Sequence, residues 1–340
     1  MPTGKKIRVL VVDDSILFRT VLTKGLSSDL DIDVVATAGD PVEAMDKIIK
    51  YQPDVMTCDV EMPKMNGIEF IRRLLPQHHI PVIVISGVSG TVFDALDAGA
   101  VDFVAKPDVS SVKSVESFIK EIIEKVKVAS DAKVLYNQKE NDTGKITGKF
   151  SGSNKIIAIG ASTGGTDAIY KIISALPDDT PGIVIVQHIP PVFSRLFAER
   201  LNKVTRLNVK EADSGDYVEP GRVLIAPGNQ HMKIVRVNDK FKVLCYEGKK
   251  VNGHCPSVDV LFESVAREAG ENAIGVILTG MGYDGAKGLL AMRRKGARTI
   301  GQDEKSSVVY GMPKVAFDIG AVEKQVPLND IPQQIYKMLS

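Results

Sequence analysis

Hydrophobic positions in the first 128 residues fall into short β-branched runs separated by amphipathic segments. The runs typical of buried strands are Ile7 to Val12, Asp33 to Ala38, Val55 to Cys58, Val82 to Ile85 and Asp102 to Ala105. Helical spacing of apolar residues is found over Ile16 to Leu26, Pro41 to Ile49, Gly67 to Leu75, Thr91 to Ala98 and Ser114 to Val128. Five strand-helix units of this kind predict a parallel sheet with helices on both faces.

The second half of the chain repeats this α/β alternation. Its predicted elements are strand Lys155 to Ile159, helix Thr166 to Leu176, strand Gly182 to Gln187, a strand-rich section Gly221 to Tyr246 and strand Ala273 to Leu278. They predict a second domain over residues 153–340, with a doubly wound, mostly parallel sheet. Residues 129–152 are polar and turn-rich. We therefore interpret them as a linker that follows a first domain of residues 1–128.

Composition excludes several classes of function. The 340 residues include 43 basic and 42 acidic side chains, and the net charge of +1 provides no electrostatic footprint for nucleic acid or an anionic membrane. The apolar runs are too short for a spanning helix or a signal peptide. The three cysteines are widely spaced and form no CxxC, which favours reduced thiols. We expect a cytoplasmic monomer that neither binds nucleic acid nor inserts into a membrane.

Polar side chains follow several predicted strands of the first domain. Asp13 and Asp14 follow the first strand, Asp59 the third, Ser86 the fourth and Lys106 the fifth. Because the carboxyl ends of parallel strands share one rim, we expect these groups to meet there. Carboxylates packed together repel one another unless a hard cation lies among them, and Mg²⁺ suits such oxygen ligands. One carboxylate would then accept a phosphoryl group.

The other groups of this rim would support the phosphorylated state. Lys106 can balance the charge of an acyl phosphate, and Ser86 can donate a hydrogen bond to its oxygens. A cis peptide bond before Pro107 is expected to fix the loop that carries the lysine. In the alternative interpretation the acids only cap the following helices, but capping does not explain the lysine.

The sequences around this rim are Val-Val-Asp13-Asp14, Cys-Asp59-Val-Glu61-Met-Pro, Val-Ile-Ser86 and Ala-Lys106-Pro. They resemble the receiver domain of two-component response regulators, over residues 1 to about 128, which implies a flavodoxin-like fold. The resemblance implies that Asp59 accepts phosphate from a histidine kinase, and that Ser86 and Phe103 are the hydroxyl and aromatic switch positions. It also implies a Mg²⁺ site formed by Asp13, Asp14, Asp59 and the backbone carbonyl of Glu61.

In the second domain a glycine-rich turn, Gly160-Ala-Ser162-Thr-Gly164-Gly165, connects the first strand to its helix. A serine at such a turn points its hydroxyl into the crevice, and amides at the helix start can bind a developing oxyanion. Serine needs an imidazole base, and His188 ends the next strand, beside the first if the strand order is sequential. Asp284 follows the strand at residues 273–278 and could orient the imidazole.

Each of these residues also has a simpler interpretation. Ser162 or Asp284 could cap a helix, and His188 could fill a strand end. The GxSxG pattern alone does not decide, and the order Ser, His, Asp differs from that of α/β-hydrolases. A dinucleotide-binding loop lacks its GxGxxG spacing, and Gln187 and His188 stand where a ribose-binding acid is wanted. Convergence of all three residues on strand ends favours catalysis.

The other histidines have structural interpretations. His78 and His79 lie in a polar connection and are expected in solvent, and His231 is expected to pack within a hairpin. His254 precedes Cys255, but adjacent residues of a strand point to opposite faces. We therefore predict neither a Cys-His pair nor a thiol nucleophile.

Further motifs of the second domain are Ile-Gly-Ala-Ser162-Thr-Gly-Gly, Val-Gln-His188-Ile-Pro, Leu-Ile-Ala-Pro-Gly, Pro256-Ser-Val-Asp-Val-Leu-Phe and Leu-Thr-Gly-Met281-Gly-Tyr-Asp284-Gly. With the receiver pattern they resemble the chemotaxis response-regulator protein-glutamate methylesterases along the whole chain. The resemblance implies that Ser162, His188 and Asp284 form a catalytic triad. It implies that Met281 supplies an oxyanion-hole amide. Cys255 departs from the pattern, because a basic residue is expected there in many relatives.

The resemblance also implies the substrates and the partners. Methylated glutamates on the cytoplasmic helices of chemoreceptors would be hydrolysed, and glutamines there deamidated, through an acyl-enzyme that needs no cofactor. A chemotaxis histidine kinase would phosphorylate Asp59. Because a switch domain is covalently joined to an enzyme with an open crevice, we also hypothesise that the unphosphorylated receiver covers the esterase mouth and that phosphorylation of Asp59 loosens that contact. A rival hypothesis, a second half that only binds a nucleotide or a protein, predicts that Ser162→Ala is tolerated.

Overall fold

The computed structural model describes residues 5–63, 65–87, 90–107, 111–132 and 155–339. The chain divides into two compact units, Met1–Gln138 and Lys139–Ser340. Of the interpreted linker, residues 133–152 lie outside the described part, and residues 129 and 130 belong to the last helix of the first unit. Within the described ranges, no helix combines the length and the apolar character needed to cross a bilayer.

Strands and helices alternate in the first unit. They are β1 (Ile7–Val12), α1 (Ile16–Leu26), β2 (Ile32–Ala38), α2 (Pro41–Tyr51), β3 (Val55–Asp59), α3 (Gly67–Leu74), β4 (Val82–Ser86), α4 (Thr91–Asp97), β5 (Asp102–Ala105) and α5 (Val112–Ser130). The five strands pair in parallel in the order β2-β1-β3-β4-β5. The predicted parallel α/β sheet is confirmed, and its strand ends place the polar rim.

Two details of the first unit differ from the sequence-based expectations. Helix α5 begins before and ends after the predicted segment, because Ser111 caps it at Val112 and the helical hydrogen bonds continue to Ser130. The expected cis bond before Pro107 is wrong: Cys255–Pro256 is the only cis peptide bond in the described residues. A trans bond, the usual isomer, already lets Lys106 donate its backbone amide to the Ser86 carbonyl at 2.8 Å.

The second unit contains more strands and one hairpin. Its elements are β6 (Ile156–Ala161), α6 (Gly165–Ala175), β7 (Ile183–Gln187), α7 (Phe193–Val204), β8 (Asn208–Glu211), β9 (Arg222–Ile225), β10 (His231–Val237), β11 (Lys240–Tyr246), α8 (Val258–Glu268), β12 (Ala273–Ile277), α9 (Ala286–Arg294), β13 (Arg298–Gln302), α10 (Met312–Asp318), β14 (Lys324–Val326) and α11 (Ile331–Leu339). Strands β10 and β11 form an antiparallel pair. The other seven form a parallel sheet in the order β14-β13-β12-β6-β7-β9-β8.

This strand order places a crevice beside β6. The chain moves outward from β6 through β7 on one side, and from β12 through β13 and β14 on the other. Ligands of such doubly wound sheets bind at the carboxyl ends of the strands, where the order reverses. The predicted adjacency of the strands that carry Ser162 and His188 is confirmed, because β6 pairs with β7.

Helix α8 packs directly against β6. A Cβ atom on Gly160 of β6 would lie 2.2 Å from Cγ1 of Val258, so only glycine admits the helix this close. Val258 and Phe262 are fully buried in the core of the second unit. Ser257 caps the helix by accepting a hydrogen bond from the amide of Val260. The start of α8 is thereby held beside the crevice.

Candidate active site

The acidic residues and the lysine that follow strands of the first unit lie close together, as predicted. Asp13 and Asp59 are almost completely buried, with side chains 1% exposed. Lys106 Nζ lies 2.6 Å from Asp59 Oδ2 and 3.4 Å from Asp13 Oδ2. Burial alone would lower the pKa of Lys106, but its contacts with the two carboxylates outweigh this and raise the pKa. The lysine is therefore a charged partner for whatever occupies the rim.

Three carboxylates of this rim could share one cation. Ligand oxygens of Asp13, Asp14 and Asp59 lie within 4.8 Å of one another. Oδ2 of Asp13 is buried and has no hydrogen-bond partner among the described residues, although it lies within ion-pair distance of Lys106. Burial raises the pKa of Asp13, and the nearby charge of Asp59 acts in the same direction. This oxygen-rich, charge-crowded arrangement fits a hard divalent cation.

The other residues that the receiver resemblance implies lie just after β3 or on β4 and β5. The backbone amide of Glu61 donates to Asp59 Oδ1 at 3.2 Å, which holds residue 61 beside the rim. Ser86 is buried at the end of β4, and Phe103 is buried on β5, edge-on to Phe93. Helix α1 is capped by Ser15 rather than by the acids. The capping alternative for Asp13 and Asp14 is therefore wrong.

In the second unit Ser162 lies immediately after β6, on a sharp turn. The amide of Gly165 donates to the Ser162 carbonyl at 2.7 Å, and Gly164 has a φ of 75°, a conformation that favours glycine. Helix α6 has Gly164 at its N-cap and no side-chain cap. Ser162 therefore does not cap the helix, and its partly exposed side chain stands at the carboxyl edge of the sheet.

His188 follows β7 at the matching position. Ala161 pairs with Gln187 across β6 and β7, so Ser162 and His188 are the next residues on neighbouring strands. The His188 amide donates to the Ala161 carbonyl at 3.1 Å, which continues the pairing. Nε2 of His188 lies 2.9 Å from Oδ2 of Asp284, and the two side chains are 8% and 1% exposed. The sheet edge thus brings the imidazole and the carboxylate together.

The carboxylate of Asp284 is satisfied by several donors. Besides His188 it accepts hydrogen bonds from Asn252 Nδ2, Ser257 Oγ and the backbone amides of Val258 and Asp259, at 2.7 to 3.2 Å. Burial alone would raise the pKa of Asp284, but the hydrogen bond and charge of His188, with the other donors, hold the pKa well below its usual value. The carboxylate is therefore ionised, and Nε2 of His188 must be the donor to it.

This tautomer assignment leaves the other ring nitrogen of His188 as an acceptor. Nδ1 is buried and has no hydrogen-bond partner among the described residues. The helix that follows Asp284, α9, has Gly285 at its N-cap and no side-chain cap. Asp284 therefore does not cap the helix that follows it, and the simpler interpretation of this residue is wrong. Its oxygens instead receive the first amides of α8.

Met281 lies beside Ser162 because Gly280 approaches the serine closely. A Cβ atom on Gly280 would lie 2.6 Å from Cβ of Ser162. The Ser162 amide also donates to the carbonyl of Thr279 at 3.0 Å. Met281 itself is half exposed at the mouth of the crevice. Its backbone is therefore adjacent to the serine, as an oxyanion-hole amide would have to be.

Three neighbours of this site have no site role in the sequence-based prediction. Ser257 and Asn252 donate to Asp284, and the His254 ring stacks on His188 with centroids 3.7 Å apart. The assumption that His254 and Cys255 lie on a strand is wrong, because Val251 and His254 close a tight turn. The dipeptide Asn252-Gly253 is a signal for such a turn that could have revealed it.

His231 belongs to the β10–β11 hairpin, as predicted. His231 is buried at the start of β10, with its ring hydrogen-bonded to the Ser257 amide and the Lys249 carbonyl. The cysteines are free thiols. Burial raises the pKa of Cys255, which disfavours the thiolate that a nucleophile needs.

Comparison with known proteins agrees with both halves of this description. The chain matches the CheB methylesterase family over residues 157–335 and the response regulator receiver domain over residues 9–133. It is 57% identical, over 337 residues and 98% of the relative, to protein-glutamate methylesterase/protein-glutamine glutaminase 2 of Syntrophomonas wolfei. A protein-glutamate methylesterase/protein-glutamine glutaminase of Salmonella typhi is 46% identical over 340 residues and 97% of its length.

A solved structure resembles the second unit. The CheB methylesterase catalytic domain of Thermotoga maritima matches with a TM-score of 0.54 and 39% identity, over 55% of this chain and 100% of that one. Fold and matches together define a receiver domain joined to a hydrolase domain. The chain belongs to the CheB methylesterase family, and it is a methylesterase with a response regulator receiver domain.

Proposed function

We propose that the second unit hydrolyses glutamyl methyl esters on chemoreceptors, with Ser162 as nucleophile, His188 as general base and Asp284 as the group that orients the imidazole. One observation carries this proposal. His188 donates Nε2–H to a buried carboxylate, and its buried Nδ1 has no hydrogen-bond partner among the described residues. His188 follows the strand that pairs with the one before Ser162. Relatives of this chain are named for the same activity.

In the proposed first half-reaction, Nδ1 of His188 takes the hydroxyl proton of Ser162. The Ser162 Oγ bonds to the ester carbonyl carbon, and the carbonyl electron pair moves to oxygen, where the Met281 amide stabilises it. The tetrahedral intermediate then expels the methoxy group, which takes the proton from His188 and leaves as methanol. Asp284 stabilises the imidazolium while it exists.

In the second half-reaction a water molecule gives a proton to His188 and attacks the acyl carbon. The bond between that carbon and Ser162 Oγ breaks, His188 returns the proton to the serine, and the glutamate carboxylate is released. The same steps with ammonia as leaving group would convert a glutamine into a glutamate. We include this deamidation in the proposal because relatives carry the glutaminase name.

We further propose that phosphorylation of Asp59 by a chemotaxis histidine kinase controls the esterase. The first unit supports this through the buried Asp59 carboxylate, the lysine at 2.6 Å and the three-carboxylate cluster. Asp13, Asp14, Asp59 and the Glu61 carbonyl would hold Mg²⁺, whose charge would offset that of the phosphoryl oxygens. Lys106 would pair with the phosphoryl group, and Ser86 and Phe103 would report its presence. We assign the protein to the cytoplasm, as a monomer.

The proposal is tested by methanol release from membranes that carry methylated chemoreceptors. Wild type, Ser162→Ala and the control Ser28→Ala are compared, since Ser28 is an exposed serine of the first unit. We expect release from wild type and control, and none above background from Ser162→Ala. A serine-directed fluorophosphonate should add its mass to wild type but not to Ser162→Ala. Equal methanol release from all three would disprove the role of Ser162 and favour a second unit that only binds.

A further inference from the structure

A four-residue turn, Val251–His254, lies against the proposed triad. Val251 and His254 exchange two backbone hydrogen bonds of 2.9 Å, and both central residues are left-handed, with φ of 52° at Asn252 and 86° at Gly253. This is the geometry of a tight two-residue turn, for which Asn-Gly is the preferred sequence. Val251 and Gly253 are exposed, so the turn adds little to the core. Its two polar side chains point into the site instead.

Asn252 connects two buried carboxylates through one amide nitrogen. Nδ2 donates to Asp284 Oδ1 at 2.8 Å and to Asp259 Oδ2 at 2.7 Å, which uses both of its hydrogens. The other oxygen of Asp259 accepts the Gly288 amide at 2.7 Å, so the far side of this bridge is anchored to α9. The amide therefore both fixes the rotation of the Asp284 carboxylate and separates two groups that would otherwise repel each other.

His254 fixes the face of the catalytic imidazole. Its ring is nearly parallel to that of His188, with an interplanar angle of 8° and centroids 3.7 Å apart. The hydrogen bond to Asp284 restrains one edge of the His188 ring, and the stacked ring restrains rotation of its plane. Together these two contacts determine where Nδ1 points.

We propose that the Val251–His254 turn is a positioning element, in which Asn252 holds Asp284 and His254 holds His188, so that Nδ1 is aligned with the Ser162 hydroxyl. This inference rests on the proposed function of those three residues. Asn252 acts through the Asp284 carboxylate and His254 through the His188 ring, so both are positioning residues rather than groups that bind substrate. Their loss should therefore lower the rate of the chemical step and leave the binding of substrate nearly unchanged.

The role of Asn252 is tested with Asn252→Gly in the full-length protein. Glycine tolerates the left-handed backbone conformation and removes the side-chain amide. Asn238→Gly is the matched control, since Asn238 also has a positive φ, 55°, but lies at the tip of the β10–β11 hairpin. We expect kcat for methanol release to fall by about tenfold or more in Asn252→Gly, with KM within about twofold of wild type. The control should keep the wild-type kcat.

The role of His254 is tested by comparing the activities of His254→Ala and His254→Phe. His79→Ala is the control, because His79 is exposed. Alanine removes the stacked ring, whereas phenylalanine restores a flat ring without a hydrogen-bonding group. We expect the alanine variant to lose about tenfold in kcat and in the rate of fluorophosphonate labelling, and phenylalanine to recover most of both. Recovery by phenylalanine would not follow from a polar or merely structural role.

Wild-type kcat in both Asn252→Gly and His254→Ala would overturn the inference, and so would a rise in KM with unchanged kcat. Failure of His254→Phe to recover activity would remove the stacking argument. These outcomes differ from a failure of the proposed function. In that case Ser162→Ala itself would retain methanol release, whatever the turn variants do.

Discussion

Position 280 requires glycine, because Ser162 occupies the space that a side chain would need. An added Cβ would lie 2.6 Å from Ser162 Cβ and 2.5 Å from Sδ of Met312, which is fully buried. The backbone of Gly280 does not have a positive φ, so the constraint at this position is steric rather than conformational. The close approach is what places the following residue, Met281, next to the serine.

We predict that Gly280→Ala nearly abolishes methanol release, because the methyl group must displace Ser162 or the loop that carries Met281. Overpacking of this kind also costs about 1–3 kcal/mol of stability. Gly90→Ala is the control, since a Cβ there meets no atom of the described residues within 4 Å and its φ is negative. Steady-state methanol release and thermal unfolding are measured for both variants. Full activity in Gly280→Ala would contradict the proposed contact between loop and nucleophile.

Single residues also mark the limit of sequence analysis. Ser162, His188 and Asp284 stood out because each follows a recognisable apolar strand. His254 was dismissed because it was placed on a strand, and Asn252 was not considered. Both act across the site through a turn whose position relative to His188 depends on how α8 and β7 pack. Local spacing does not encode that packing.

Among the elements, the start of α8 is coupled to the carboxylate of the proposed triad. Ser257 caps the helix and also donates Oγ–H to Asp284 Oδ1 at 2.8 Å, and the Val258 amide donates to Oδ2 at 2.7 Å. The positive end of the helix therefore faces Asp284, which favours the ionised form. The Ser257 side chain therefore both begins the helix and stabilises the charge of Asp284.

We predict that Ser257→Ala loses about 1 kcal/mol of stability from the missing cap. It should also lower kcat several-fold, because Asp284 loses one donor. Ser111→Ala is the matched control, since Ser111 caps α5 of the first unit in the same way. Both variants should show a lowered unfolding temperature by circular dichroism. A lowered kcat in both, or in neither, would contradict the coupling.

Element positions were more predictable than their ends. Strands β1 and β5 and helix α1 match the predicted bounds, because apolar periodicity marks them clearly. Strands β3 and β4 extend one step further, to Asp59 and Ser86, since polar residues at strand ends still pair with neighbouring strands. The apolar pattern stops at these residues, although the hydrogen bonding does not.

At the scale of the whole molecule, the chain consists of two compact units with separate sheets and separate cores. The proposed acyl-phosphate chemistry belongs to one unit, and the proposed ester hydrolysis belongs to the other. The proposed regulation therefore requires a signal to pass from Asp59 to Ser162 between independently built units. Such coupling can be measured as a change in esterase rate.

We predict that a small acyl-phosphate donor with Mg²⁺ raises methanol release by about fivefold or more in the full-length protein. Asp59→Asn should show no rise, and chelation of Mg²⁺ should abolish it. Asp46→Asn, at an exposed acid of α2, should respond like wild type. A fragment of residues 153–340 should be insensitive to the donor and faster than the unphosphorylated full-length protein. A fragment that is no faster would contradict inhibition by the receiver.

Apolar periodicity and the polar residues at strand ends were sufficient to predict two α/β domains, the acidic rim and the three proposed triad residues, because these signals are local along the chain. The hydrogen bond between His188 and Asp284 joins residues 96 positions apart. Its geometry depends on the strand order, on the packing of α8 against Gly160 and on a turn that reaches over both side chains. Those arrangements result from long-range packing, which neighbouring residues do not specify, and so they became visible only in the folded molecule.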